Sequence, residues 1–221
     1  MRRPWDPGPR TGHNHWMSPP NPRLPIALFV LVGAAFLLLG WAPKADRFTW
    51  FMENFPVILG APVLIATHRR FPFTSLLYVL MALHALVLMV GGHWTYAEVP
   101  AGHWVKDWLH LARNPYDRLG HLFQGFVPVL LFREVLFRQS VLKPGTWSIV
   151  VLLLMVLGLS AAYELLEWIT AVATGAKADA FLGTQGDPWD TQWDMACALI
   201  GGGLALIGLG RLHDRQIAAV R

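Results

Sequence analysis

The sequence predicts an all-α polytopic membrane protein, a bundle of about six transmembrane helices. Of its 221 residues, 54% are hydrophobic and only 14% charged, well below the roughly one-quarter charged fraction of a soluble domain. The apolar residues gather into blocks of about 17 to 25, each long enough to cross a hydrocarbon layer about 30 Å thick. Lys and Arg then divide unequally between the two sets of connections that six alternating spans create, as orientation in a membrane requires.

Residues 1–23 come first. Met1 to Pro25 hold seven of the sixteen prolines and four arginines, a composition that cannot bury enough apolar surface to fold alone and predicts a disordered cytoplasmic arm. No cleavable signal is expected, since the arm is long and Pro-rich and the first apolar block lacks a small-residue cleavage site. The transmembrane domain is expected over 24–212. Its first span, Leu24 to Trp41, contains no charge. The second, Phe51 to Ala66, is interrupted by Glu53, Pro56, Gly60 and Pro62, which a bilayer tolerates only where neighbouring helices re-satisfy the backbone. The third runs from Phe73 to Gly92 with His84 near its middle. A connection of about 25 residues leads to the fourth, Asp117 to Leu136, which carries His121 and Gln124 near its start. The fifth, Trp147 to Ala173, is long enough to tilt or protrude and ends with Glu164 and Glu167. The sixth, Trp193 to Leu209, opens at Asp194, and 213–221 form a short cytoplasmic tail.

The net charge is +4, which has its economical source in loops facing anionic lipid rather than in a nucleic acid partner. With six spans, twelve Lys and Arg fall on one side, among them Arg69, Arg70, Arg133, Arg138 and Lys143, and six on the other. Both termini are therefore expected in the cytoplasm, and loss of the second span would scramble the partition. Cys197 is the only cysteine and lies in a span, which excludes a disulfide framework and a thiolate metal site.

Alternating spans bring the unusual polar residues to one end, the periplasmic one: Glu53, His93, Asp117, His121, Glu164, Glu167, Asp187, Asp190 and Asp194. Ionisable groups near a bilayer core cost about 3 kcal/mol each and face the bundle interior, pair, or mark a functional path. Asp117 and His121 stand four apart and so share a helix face, where they can offer one cation a carboxylate oxygen and an imidazole nitrogen. Glu164 and Glu167, one turn apart, can share a cation or a proton. Asp187, Asp190 and Asp194 line one stripe if the last helix starts near Pro188. Such a set suits Mg²⁺, Ca²⁺, Mn²⁺ or Zn²⁺. Structural roles compete: Asp117 can pair with Arg113 or Arg118, Asp187 and Asp190 can cap the last helix, and His84 can be a packed core histidine. Glu134, between Arg133 and Arg138, is expected as a salt-bridged interfacial residue. Trp94, Trp104, Trp108, Trp189 and Trp193 suit anchoring at the membrane surface, and Gly201 to Gly203 suit close helix packing, since no P-loop or dinucleotide pattern surrounds them.

The segments Arg113-Asn-Pro-Tyr-Asp-Arg-Leu-Gly-His121, Tyr163-Glu-Leu-Leu-Glu-Trp168 and Asp179 to Met195 resemble the YjdF family of bacterial inner membrane proteins, over roughly Leu24 to Leu212. The resemblance implies a multi-helix inner membrane protein and supplies no reaction. The last third also resembles VanZ-like membrane proteins, with Glu164, Glu167, Asp190, Asp194 and Gly201 in corresponding places and Ala198 where an Asn is expected.

These readings lead to one expected function and two rivals. The expected one is metal-dependent hydrolysis or transfer on a lipid or cell-envelope substrate, with Asp117, His121, Glu164, Glu167, Asp190 and Asp194 as metal ligands. His93, Glu164 and Glu167 are then the candidates for moving protons. The rivals are a small ion or solute transporter using His84, Glu164 and Glu167, and a structural or assembly protein whose polar cluster sets helix register. No G-x-S-x-G, H-E-x-x-H or Cys and His pairing names a nucleophile.

Overall fold

A computed structural model describes residues 23–174 and 184–220. The expected disordered arm lies outside the described residues except for Arg23, as do Lys177 and the stretch 179–183 of the family-like segment. Every regular element among the described residues is helical: α1 Arg23–Trp41, α2 Arg47–Glu53, α3 Phe55–Thr67, α4 Ser75–Trp94, a 3₁₀ turn Tyr96–Glu98, α5 Pro100–Leu109, α6 Tyr116–Arg138, α7 Thr146–Thr174 and α8 Asp190–Val220. Five of these, α1, α4, α6, α7 and α8, are long and apolar enough to cross a membrane, and α2 with α3 makes a sixth if the pair counts as one span.

The doubtful second span is a broken one. Its halves bend by 49° at Asn54, where Pro56 occupies the first turn of α3, a place proline tolerates because that N–H has no helical partner. Asp46 starts α2 by accepting from the backbone of Phe48 and Thr49 at 2.8 and 3.0 Å and from the Thr49 hydroxyl at 2.7 Å. These bonds, the hydroxyl's above all, hold the Asp46 carboxyl below its ordinary value.

The long connection after α4 is structured. Asn114, fully buried, donates to the carbonyls of Ala97 and Val99 at 3.0 Å each and accepts from Tyr116 N–H at 3.0 Å. Gln185 bonds both the N–H and the carbonyl of Asn114, so one residue ties the α4–α6 connection to the approach to α8. A side chain on Gly102 would run into Asn114. On α5, Trp104 and Trp108 stand out at 74% and 78% exposure beside Val105 and Leu109, an apolar face of the kind that suits a helix at a membrane surface.

The core sits between α4, α6, α7 and α8, around Leu77, Leu80, Val129, Leu130, Leu152 and Val156. The most extensive interface joins α6 to α8. It is made by small residues: a Cβ on Gly125 would strike the Ala198 carbonyl, and one on Gly201 the Leu122 carbonyl. In lipid, where apolar surfaces gain little by leaving the solvent, such close backbone approach is what holds helices together.

The far end of the bundle adds detail to two expectations. Residues 213–220, expected as a tail, continue α8; after Gly210 no glycine or proline breaks the helix, and His213 and Ile217 are buried. Glu134 makes the expected salt bridge, with Arg138, and is fully buried. It accepts from Thr74 N–H at 3.0 Å, the Thr74 hydroxyl at 2.8 Å, Arg138 at 2.8 Å and His213 Nε2 at 2.9 Å. Arg133 completes the group through His213 Nδ1 at 3.3 Å and Asp214 at 2.5 Å. His213 thus bridges Arg133 and Glu134, in a group of two acids and two guanidiniums. Gln216 adds a bond to Leu76 N–H at 2.9 Å, so the end of α8 is fastened to the start of α4.

Candidate functional site

The opposite end holds the site, because the α6–α8 glycine contact brings the first turns of both helices together. Arg113 and Arg118 form a ladder against the acidic stripe of α8. Arg113 reaches Asp117 at 3.0 Å and Asp190 at still closer range; Arg118 reaches Asp187 at 3.0 Å, Asp190 at 2.9 Å and Asp194 in another close contact. Asp187 also accepts from Trp189 N–H at 2.9 Å, close to the helix start expected near Pro188. The helix starts at Asp190, so only Asp190 and Asp194 share its stripe; Asp187 lies in the turn before it, and all three meet Arg118.

Inside this ladder, Asp117, His121 and Asp194 are all buried and form a group whose ligand atoms lie within 4.8 Å of one another. His121 Nε2 stands 3.6 Å from Asp117 Oδ1 and 3.9 Å from Asp194 Oδ1. Its other nitrogen, Nδ1, lies 2.9 Å from Gln124 Oε1. That oxygen can only accept, so it selects the Nδ1–H tautomer and turns the Nε2 lone pair toward two carboxylates. A lone pair facing two acidic oxygens calls for a proton or a cation between them, and two oxygens with one imidazole nitrogen suit a borderline divalent metal. Glu164, 8% exposed, has Oε1 shut from solvent without a hydrogen-bond partner, 3.7 Å from His121 Nδ1. A carboxylate and an amide behind a histidine are the outer support that orients a metal-ligating imidazole.

The predicted residues separate into four sets. Asp117, His121, Asp194 and Glu164 converge. Asp190 stands beside them, engaged with the two arginines. Glu167 lies one turn farther along α7, on the wall of a cavity of about 1090 Å³. His93 is elsewhere: its Nδ1 lies 2.7 Å from the Leu39 carbonyl, where it ties α4 to α1. The cavity runs between α3 and α1 on one side and α4, α6 and α7 on the other, and is lined almost wholly by apolar side chains. Its polar end carries Glu53, Asp117, His121, Gln124, Tyr163 and Glu167, with Tyr96 and His84 beside them. His84 Nε2 and the Tyr163 hydroxyl are shut from solvent there without hydrogen-bond partners.

Sequence reasoning named neither Gln124 nor Tyr163 as part of the site. Gln124 stands three residues after His121 on the same helix face, a spacing that was available as a signal. Tyr163 directly precedes Glu164 in the family-like segment, and nothing local distinguishes it from a packed aromatic.

Comparison with known proteins agrees with the fold. The chain matches the family described as "Predicted membrane protein (DUF2238)" over residues 24–215. The chain belongs to this family. Inner membrane protein YjdF of Escherichia coli (strain K12) is 53% identical over 172 residues, covering 78% of this chain and 82% of that protein. The DUF2238 chain described here is accordingly a multi-pass inner membrane protein, as its three family-like segments imply. No solved structure matches it.

Proposed function

We propose that this protein carries out metal-dependent hydrolysis or transfer on an amphiphilic lipid or cell-envelope precursor, at a site facing the periplasm with both termini in the cytoplasm. The observation that carries the reading is a buried Asp117–His121–Asp194 group placed at the polar end of a large apolar cavity. A lipid tail fits the walls and its head group meets the acids. The cavity reaches the upper end of the about 300–1,000 Å³ usual for small-molecule pockets. The orientation rests on the division of Lys and Arg between the two ends.

Asp117 Oδ1, His121 Nε2 and Asp194 would hold a divalent cation, which when bound supplies Lewis acidity toward an ester or phosphoryl group. Gln124 fixes the histidine tautomer. The free Oε1 of Glu164 is placed to accept a proton, in the role expected for it. Glu167 belongs to the cavity wall, and the bonding of His93 to Leu39 leaves it out of proton transfer. Against transport, the cavity between this site and His68 and Arg69 is lined mostly by apolar side chains and offers an ion no ladder of ligands.

The test is reconstitution of the purified protein in vesicles of mixed phospholipids, with divalent metal added, followed by lipid mass spectrometry. A head-group-modified or cleaved lipid should form with the wild type and vanish with His121→Ala and Asp194→Asn. A lipid profile unchanged with every metal and lipid class offered would remove the enzymatic reading.

A further inference from the structure

The polar end of the cavity has a second half that the metal group does not use. Glu53, at the break between α2 and α3, is 3% exposed and lines the cavity, as does Glu167 of α7. The two feel each other and Asp117 electrostatically, and neither makes an ion pair with a cation among the described residues. Nearby positive charge is already committed: Arg113 and Arg118 are engaged by Asp117, Asp187, Asp190 and Asp194. Glu53 is buried and Glu167 half-buried, and two carboxyls facing one cavity without a counter-charge are costly to ionise together in a membrane, a cost relieved by a proton or by an occupant that brings a positive charge of its own.

The shape of this half narrows the choice. Glu53 and Glu167 do not join the compact group whose ligand atoms lie within 4.8 Å of one another, as a second small metal ion would require. They line a cavity of about 1090 Å³ together with Tyr96 and Tyr163. The Tyr163 hydroxyl lies toward Glu53, and His84 Nε2, shut from solvent without a hydrogen-bond partner, lines the same cavity. Carboxylates interleaved with aromatic faces are the recognition chemistry of an ammonium group, through hydrogen bonds and cation–π attraction. The remaining wall is apolar along α3, α6 and α7. The α3 wall includes Gly60, where an added Cβ would meet nothing within 4 Å.

We propose that the cavity receives a phospholipid with a primary-amine head group, its chains along α3, α6 and α7 and its ammonium between Glu53 and Glu167. This rests on the reading of the site as one that handles lipid. The lipid phosphate, next to the ammonium in such a head group, then lies toward Asp117, His121 and Asp194. Substrate selection and metal holding are thereby divided between two sets of acids: Glu53 and Glu167 for the amine, Asp117 and Asp194 for the cation.

The experiment is native mass spectrometry of the full chain from nanodiscs containing equal amounts of phosphatidylethanolamine and phosphatidylglycerol with identical chains, with metal content measured on the same samples. The wild type should retain the amine lipid at least fivefold over the glycerol lipid, and should lose that preference when the amine is replaced by its N-acetylated form. Glu53→Gln/Glu167→Gln should bring the ratio to that of the bulk with metal content unchanged, and Gly60→Trp should reduce retention of both lipids. The N-acetyl comparison uses only wild-type protein, so it stands even if the double variant does not fold. Equal retention of the two lipids, retention of the N-acetylated form at the amine lipid's level, or loss of metal in the double variant would overturn the assignment. Metal present without amine preference defeats this inference alone. Amine preference without metal supports it and defeats only the metal reading.

Discussion

Replacing Glu134 by alanine tests how the far end of the bundle is held. The carboxylate is fully buried and accepts from four donors, the backbone and hydroxyl of Thr74, Arg138 and His213. Its removal leaves the Arg138 guanidinium with only the Pro72 carbonyl, and the His213 Nε2–H and the N–H and hydroxyl of Thr74, the cap of α4, without their acceptor. Removing one partner of a buried ion pair costs about 3–5 kcal/mol, most of it the penalty of the stranded charge. Glu134→Gln keeps two acceptor lone pairs and the shape but not the charge, and should cost about half as much, since hydrogen bonds to a charged group are roughly twice as strong as neutral ones. The assay is reversible unfolding in mixed micelles, followed by tryptophan fluorescence. Glu134→Ala within 1 kcal/mol of wild type would refute the buried clamp, and equal losses for Ala and Gln would refute the assignment of the loss to stranded acceptor-seeking groups.

The other predictions are local. Gly125→Val drives a Cβ onto the Ala198 carbonyl and should destabilise by about 3 kcal/mol or more, whereas Gly203→Ala, where a Cβ meets nothing within 4 Å, should be neutral or stabilise by up to about 1 kcal/mol; thermal unfolding compares them. Gln124→Ala should weaken metal affinity about 10- to 100-fold by releasing His121 Nδ1, read by competition with a chelating dye, and should leave the fold intact by circular dichroism. Asp46→Ala removes the α2 cap and should cost about 1 kcal/mol. Because the Asp46 carboxyl lies below its ordinary value of 3.8 in the folded protein, its contribution is fully present above that pH and fades as pH falls through the lower folded value. The stability gap between wild type and Asp46→Ala should therefore shrink in acid, and a gap that widens would contradict the cap.

Much of this architecture is legible in the sequence because a bilayer imposes length and polarity on each span. The apolar blocks place α1, α4, α6, α7 and α8, and the alternation of spans brings Asp117, His121, Glu164 and Asp194 to one end. Boundaries are harder. The α8 helix outruns its apolar block because amphipathic turns from Arg211 onward are stabilised by Glu134 and Leu76, contacts made across more than 70 residues of chain. The Asn54 bend is foreshadowed by Glu53 and Pro56, though its angle depends on packing. Local spacing suggests that Asp190 and Asp194 have similar roles; which of them faces His121 is decided by where Arg113 and Arg118 land. His93 has the composition of a site residue and is diverted by a carbonyl of α1, a partner that no spacing rule reveals.

The most direct test of the metal group is the metal content of gently purified protein, measured by plasma mass spectrometry for wild type, His121→Ala and Asp194→Asn. The account predicts close to one divalent ion per chain in the wild type and loss from both variants. A metal-free wild type under conditions that preserve native loading, or an ion retained by both variants, would contradict it.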